Sequence, residues 1–240
     1  MRQHFLWFLL LVGVACTSAA QKMVTFNAAD GLAVTADIYE THPDNPWILL
    51  CHQASFSRGE YRETAPRLNA LGFNCLAIDQ RSGKGVNGVS NATAQRANEQ
   101  GLPTKYTHAE PDILAAIAFL AEKSGRPIIL VGSSYSAALV LKIARDHEQV
   151  RAVAAFSPGE YIRGQNIRKA AAGTQKPVFV TSSKNEASDV ASLVQDIDTQ
   201  YLTHFVPESA GKHGSKALWK KHDRSGEYWK AFAAFLEPLK

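Results

Sequence analysis

The sequence predicts an α/β fold: a mostly parallel sheet with helices on both faces. Three observations carry that reading. Short, continuous apolar runs at Trp47–Cys51, Phe73–Ile78, Ile128–Val131, Val150–Phe156, Val178–Val180 and Tyr201–Val206 suit strands buried on both faces. Helical stretches alternate with them, at Glu60–Leu71, Ala109–Lys123, Ala137–Asp146, Asp189–Asp198 and Lys216–Leu236. A chain of 240 residues with 45% apolar and 20% charged residues can bury one sizeable core.

The first twenty residues stand apart from this pattern. Met1–His4 carries Arg2, Phe5–Val14 is an unbroken apolar run, and Ser18-Ala19-Ala20 offers small residues before Gln21. This three-part pattern fits a cleaved export signal over residues 1–20, with the folded domain spanning 21–240. The apolar run falls well short of the roughly 20 residues that cross a bilayer. An alternative reading places a lipid on Cys16 after cleavage of Gly13-Val14-Ala15, which would anchor the chain to a membrane.

After the signal, Met23–Asn27 and Leu32–Tyr39 flank Asp30-Gly31, a turn dipeptide, and read as an antiparallel hairpin. Pro111 falls in the first turn of its helix, where a missing N–H costs nothing. Gln80–Tyr106 is the longest irregular stretch, with a short helix expected around Ala92–Gln100; a loop of this length is usually functional or mobile. Cys51 and Cys75 lie inside apolar runs and are expected as buried thiols, although export would permit a bridge.

The sharpest local signal is Gly132-Ser133-Ser134-Tyr135-Ser136, which joins an apolar strand to a helix beginning with small residues. This is the context of a nucleophile elbow. A turn this tight forces Ser134 into a strained backbone conformation and lifts its hydroxyl off the sheet. Small residues at Gly132 and Ser136 keep the turn free of clashes. A triad acid and a histidine should then follow in that order. Glu186 is the first carboxylate after the strand at Val178–Val180, while Asp189 reads better as a helix N-cap. His213 sits in a glycine-flanked loop before the last helix. Among the eight histidines, His204 lies in a strand, and no His-Glu-x-x-His or Cys-x-x-Cys metal spacing occurs. His52-Gln53-Ala54 ends an early strand, where His52 is expected to shape the loop. Backbone N–H groups of Gln53, with Ala54 close behind, and of Tyr135 are the candidate oxyanion donors.

Taken together, these residues resemble the α/β-hydrolase superfamily, in the manner of small dienelactone-hydrolase-like serine esterases. The residues concerned are His52-Gln53-Ala54, Asp79-Gln80-Arg81-Ser82-Gly83, Gly132-x-Ser134-x-Ser136, Glu186 and His213-Gly214. Two departures stand out: Ser136 replaces a glycine, and Glu186 stands where aspartate is commoner. The resemblance implies an eight-stranded sheet whose second strand is antiparallel, with no large lid domain. It implies Ser134 as nucleophile, His213 as general base and Glu186 as the acid orienting it, acting on a small-molecule ester without a cofactor. A peptidase or amidase using the same triad, or a non-catalytic binder on the same fold, are the alternatives. A net charge of +4, from 26 basic and 22 acidic residues, is too small to suggest a nucleic-acid partner. Export to the periplasm or medium is the expected destination.

Overall fold

The structure, a computed structural model, describes residues 21–240. The export signal and Cys16 therefore lie outside the described residues. The strands are β1 (Lys22–Asn27), β2 (Ala33–Tyr39), β3 (Trp47–Cys51), β4 (Asn74–Ile78), β5 (Gly85–Val86), β6 (Val89–Ser90), β7 (Ile128–Ser133), β8 (Val150–Phe156), β9 (Val178–Thr181) and β10 (Leu202–Phe205). The helices are α1 (Thr64–Ala70), α2 (Ala92–Glu99), α3 (Glu110–Ser124), α4 (Tyr135–Asp146), α5 (Ile167–Ala171), α6 (Ala187–Val194) and α7 (Ser225–Leu236).

Eight strands form one sheet in the order β1-β2-β4-β3-β7-β8-β9-β10, and β5 pairs only with β6. β2 runs antiparallel to both of its neighbours, while β4, β3, β7, β8, β9 and β10 are mutually parallel. Sequence order reverses at β3, which lies between β4 and β7. Open α/β sheets bind ligands at such a reversal, beyond the carboxyl ends of the strands. The loops after β3 and β7 are therefore neighbours in space, which brings the His52 and Ser134 segments together.

Side chains alternate across the sheet, so each central strand feeds two cores. Leu49, Leu76, Leu130 and Val153 pack against α2, α3, α4 and α6 on one face. Ile48, Leu50, Ile129 and Phe156 pack against α1 and α7 on the other, where Phe179 and Phe232 add an aromatic cluster. The same alternation settles the cysteines. Cys51 belongs to the first core and Cys75 to the second, so the two thiols face opposite sides of the sheet and both are free.

Two expected helices are divided, and both divisions matter. Glu60–Leu71 opens as a 3-10 turn at Arg58–Tyr61, with the Ser57 side chain accepting from the Gly59 N–H, before α1 begins at Thr64. Lys216–Leu236 likewise splits into a 3-10 turn at Ser215–Leu218 and α7, with Arg224 in the left-handed region at φ 66°. A third difference concerns Asp189. The helix begins at Ala187, and Ser183 with Glu186 forms a capping box one turn earlier, so Asp189 sits inside the first turn. α5 was absent from the sequence pattern; Asn166 caps it by accepting from the Lys169 N–H.

Gln80–Tyr106 is anchored along much of its length. Arg81 and Asp112 are both buried, and the guanidinium donates to the carboxylate at 2.7 Å. The Arg81 N–H reaches the same carboxylate, also at 2.7 Å, and the guanidinium holds Asp30 in the β1–β2 turn. Burial pushes the Asp112 carboxyl up, and the guanidinium works against that shift. Arg81→Met should therefore leave a buried acid without its cation and cost about 3–5 kcal/mol. Urea unfolding checks this, and an unchanged midpoint would remove Arg81 as the anchor.

Candidate active site

Ser134 occupies the turn between β7 and α4 at φ 58°, ψ −120°. A non-glycine residue held there costs on the order of 1–3 kcal/mol, so its surroundings must enforce it. The Ser134 N–H donates to the Phe156 carbonyl at 2.8 Å, and its carbonyl receives the Ala137 N–H at 2.9 Å. Gly132 is required by contact. A Cβ there would stand 2.5 Å from the Ser136 carbonyl oxygen and 2.7 Å from the Ala137 Cα. Those are backbone atoms that cannot move aside.

His213 and Glu186 meet this serine. His213 Nε2 lies 2.8 Å from Ser134 Oγ, and Nδ1 makes a close contact with Glu186 Oε1. Glu186 is further held by Ser183, through its hydroxyl at 2.6 Å and its N–H at 3.1 Å, and by the Ser157 hydroxyl at 3.0 Å. Burial works to raise the Glu186 carboxyl, but hydrogen bonds from His213, Ser183 and Ser157 outweigh it and bring it down to about 2. Ser157, just beyond β8, also accepts the Gly214 N–H at 2.9 Å. One hydroxyl thus links the Glu186 loop to the His213 loop.

His52 is fully buried, and its ring closes its own loop: Nδ1 donates to the Gln53 carbonyl at 2.8 Å, and Nε2 accepts the Gln80 N–H at 3.1 Å. The departure at Ser136 also has a structural reason. Its hydroxyl donates to the His52 carbonyl at 2.6 Å and receives the Gln80 side-chain amide. A glycine could not tie the elbow to the β3 loop in this way.

The expectation for the Gln53 N–H does not hold, because that group donates to Glu60 Oε2 at 2.7 Å. Glu60 escaped the sequence reading entirely. It is fully buried and forms no ion pair among the described residues; its Oε1 accepts from Ser133 Oγ at 2.8 Å and Ser215 Oγ at 2.6 Å. Burial pushes this carboxyl up, while Ser215, the Gln53 N–H and Ser133 pull it down. The single side chain spans the β3 loop, the nucleophile elbow and the segment after His213. Ala54, by contrast, has an N–H that takes no partner among the described residues. Tyr135 is the first residue of α4, where no preceding helical turn can accept its N–H.

A cavity of about 710 Å³ is lined by Ser82 and Thr104–His108 and by Tyr161, Arg163 and Gly164, and reaches the cluster through Tyr135 rather than through Ser134, Glu186 or His213 themselves. Its walls come from the two loops that frame the site, Gln80–Tyr106 and Ser157–Thr174. Tyr135 connects cavity and serine: its ring stacks on Tyr106 with centroids 4.5 Å apart, and its hydroxyl donates to the Ser82 carbonyl. Among the described residues, no group of three His, Cys, Asp or Glu side chains is placed to hold a metal ion.

The model of the family described as serine aminopeptidase, S33, matches residues 30–230. The chain belongs to this family of α/β-hydrolases. Solved structures agree on the fold at low identity. An esterase from Pyrococcus furiosus aligns with a TM-score of 0.70 at 16% identity, over 92% of this chain and 91% of that one. A dienelactone hydrolase from Anabaena variabilis aligns at 0.68 and 14% identity, over 93% and 98%. A hyperthermophilic esterase from Pyrobaculum calidifontis aligns at 0.66 and 14% identity, over 92% and 83%. No curated protein sequence matches the chain. This α/β-hydrolase shows no large lid among the described residues, and its sheet carries the antiparallel second strand that the family resemblance implied.

Glu60→Ala would strand the Gln53 N–H and two serine hydroxyls inside the hydrolase. Each unsatisfied buried group costs about 1–3 kcal/mol, so with three of them a loss of at least about 3 kcal/mol is expected in chemical denaturation. A loss below about 0.5 kcal/mol, the range of ordinary surface changes, would show that the bracket is dispensable.

Proposed function

We propose that this α/β-hydrolase cleaves carboxylic esters through an acyl-enzyme on Ser134. The observation that carries the reading is the continuous hydrogen-bonded chain from Ser134 through His213 to Glu186. Ser134 Oγ attacks the acyl carbon while His213 Nε2 takes its proton, and the alcohol leaves with that proton. His213 then draws a proton from water, which attacks the acyl carbon, releases the acid and restores the serine. Glu186 holds the imidazole by Nδ1 and balances the charge it gains. The Ala54 and Tyr135 N–H groups receive the developing oxyanion, in a role worth about 2.7–4 kcal/mol per donor. Ala54 takes this role because Gln53 is engaged by Glu60.

The description of the matched family favours one rival, hydrolysis of aminoacyl amides by the same residues. A fluorophosphonate probe should label the wild type and leave Ser134→Ala unlabelled. That variant should also lose at least about 10⁴-fold in kcat on aryl esters. Labelling that persists in Ser134→Ala would sink the nucleophile. Faster turnover of aminoacyl anilides than of matched aryl esters would favour the rival.

The low position of the Glu186 carboxyl has a consequence for pH. It stays ionised at every pH above about 4, so the acid limb of activity does not come from Glu186. Its ordinary value is 4.5 and its folded value about 2, so its stabilising effect is complete above the first and is lost as pH falls through the second. The stability gap between wild type and Glu186→Gln should narrow over that window in urea titrations. A gap independent of pH would contradict the assignment.

Export is part of the same reading, supported by the charged, apolar and small-residue pattern of residues 1–20. Amino-terminal sequencing of the secreted protein should begin at Gln21. A lipid-modified Cys16 would instead establish the anchored form.

A further inference from the structure

We infer that the 710 Å³ cavity selects esters of aromatic acids that carry a second, negatively charged group. The inference rests on the serine-esterase reading and deepens it. Tyr106 and Tyr161 stand on the two walls, each 38% exposed, and are among the few large apolar side chains left open to solvent. Tyr106 is not a stray surface residue: it is stacked on Tyr135, the residue following Ser134. A flat ring entering the cavity would find the aromatic surface of Tyr106 and Tyr161, and Tyr106 is one stacked ring away from the residue after Ser134.

Charge gives the second half of the argument. Lys105 and Arg163 both line the cavity, from two different loops, and no carboxylate lines it. Neither cation forms an ion pair among the described residues. Unpaired cations are common among the described residues; what marks Lys105 and Arg163 is that both line one cavity that holds no carboxylate. Two unpaired cations at a concave aromatic site are available to an anionic ligand, and arginine in particular suits a carboxylate. The far side of Tyr161 has the opposite character. There a cavity of about 470 Å³ is lined by Glu160, Glu186 and Asp189, while its one cation, Arg168, is taken by Asp196. An anionic substituent is drawn to one side of Tyr161 and repelled from the other, which fixes the direction in which the ester lies.

Three methyl benzoates of nearly equal shape test this: the para-carboxylate, the neutral para-carboxamide and the cationic para-aminomethyl compound. The wild type should favour the carboxylate over the carboxamide roughly tenfold in kcat/KM, chiefly through KM, with the preference shrinking as salt rises. In Lys105→Met/Arg163→Met the ratio of anionic to neutral ester should fall to about one. In Lys105→Glu/Arg163→Glu the order should reverse in favour of the cation. Calorimetric binding of the same compounds to Ser134→Ala keeps the pocket measurable without turnover. Fluorophosphonate labelling of the wild type without any anionic preference in turnover or binding would overturn this inference and leave the esterase reading standing. Absent labelling, with anionic preference retained in binding, would support the pocket and overturn the esterase. A preference that survives in the double methionine variant would also overturn it.

Discussion

Everything near the site is arranged around one unfavourable residue conformation. Ser134 is held at positive φ, and nothing in its own chemistry favours that. The elbow persists because its neighbours leave no alternative: β7 is paired on both sides, Gly132 admits the returning helix, and the Phe156 carbonyl captures the Ser134 N–H. Strain of this kind survives only where the surrounding structure over-determines it. The reversal of strand order at β3 supplies that surrounding. It places the β3 loop against the elbow, so the Ser136 hydroxyl can bind the His52 carbonyl.

A second layer of order comes from short side chains that join loops rather than elements. Glu60 binds the β3 loop, the elbow and the segment after His213; Ser157 binds the Glu186 loop to Gly214. Buried polar networks are stabilising when their members are satisfied, and both carboxylate oxygens of Glu60 and the Ser157 hydroxyl have their partners. Loops far apart in sequence therefore keep a common geometry without a lid domain to clamp them. Gly214 shows how closely they approach, since a Cβ there would lie 2.4 Å from Gln53 Oε1.

The periodic parts of this arrangement were legible in the sequence. Continuous apolar runs located the parallel strands of the main sheet, and Asp30-Gly31 located the hairpin of β1 and β2. Ser134, Glu186 and His213 could be found because chain order and strand ends constrain them, and the structure brings the three side chains together. What could not be read depends on contacts across long sequence separations. Glu60 looked like the start of an amphipathic helix, because nothing local shows that a 3-10 turn rotates it into the core. The Gln53 N–H looked available because its partner is that same glutamate. Asp189 looked like an N-cap until the capping box at Ser183 took the position. A short polar pattern, Ser183-x-x-Glu186, was the one signal that could have corrected the boundary.

Cys51 and Cys75 give the fold an unplanned reporter. Burial pushes both thiols up, far from the range where a thiolate reacts, and each sits in a different layer of the core. Alkylation of such thiols proceeds only through opened states. Cys51 answers for the layer under α3 and α4, Cys75 for the layer under α1 and α7. Equal labelling rates at the two would mean that the sheet opens as one unit; unequal rates would show which side of it lets go first.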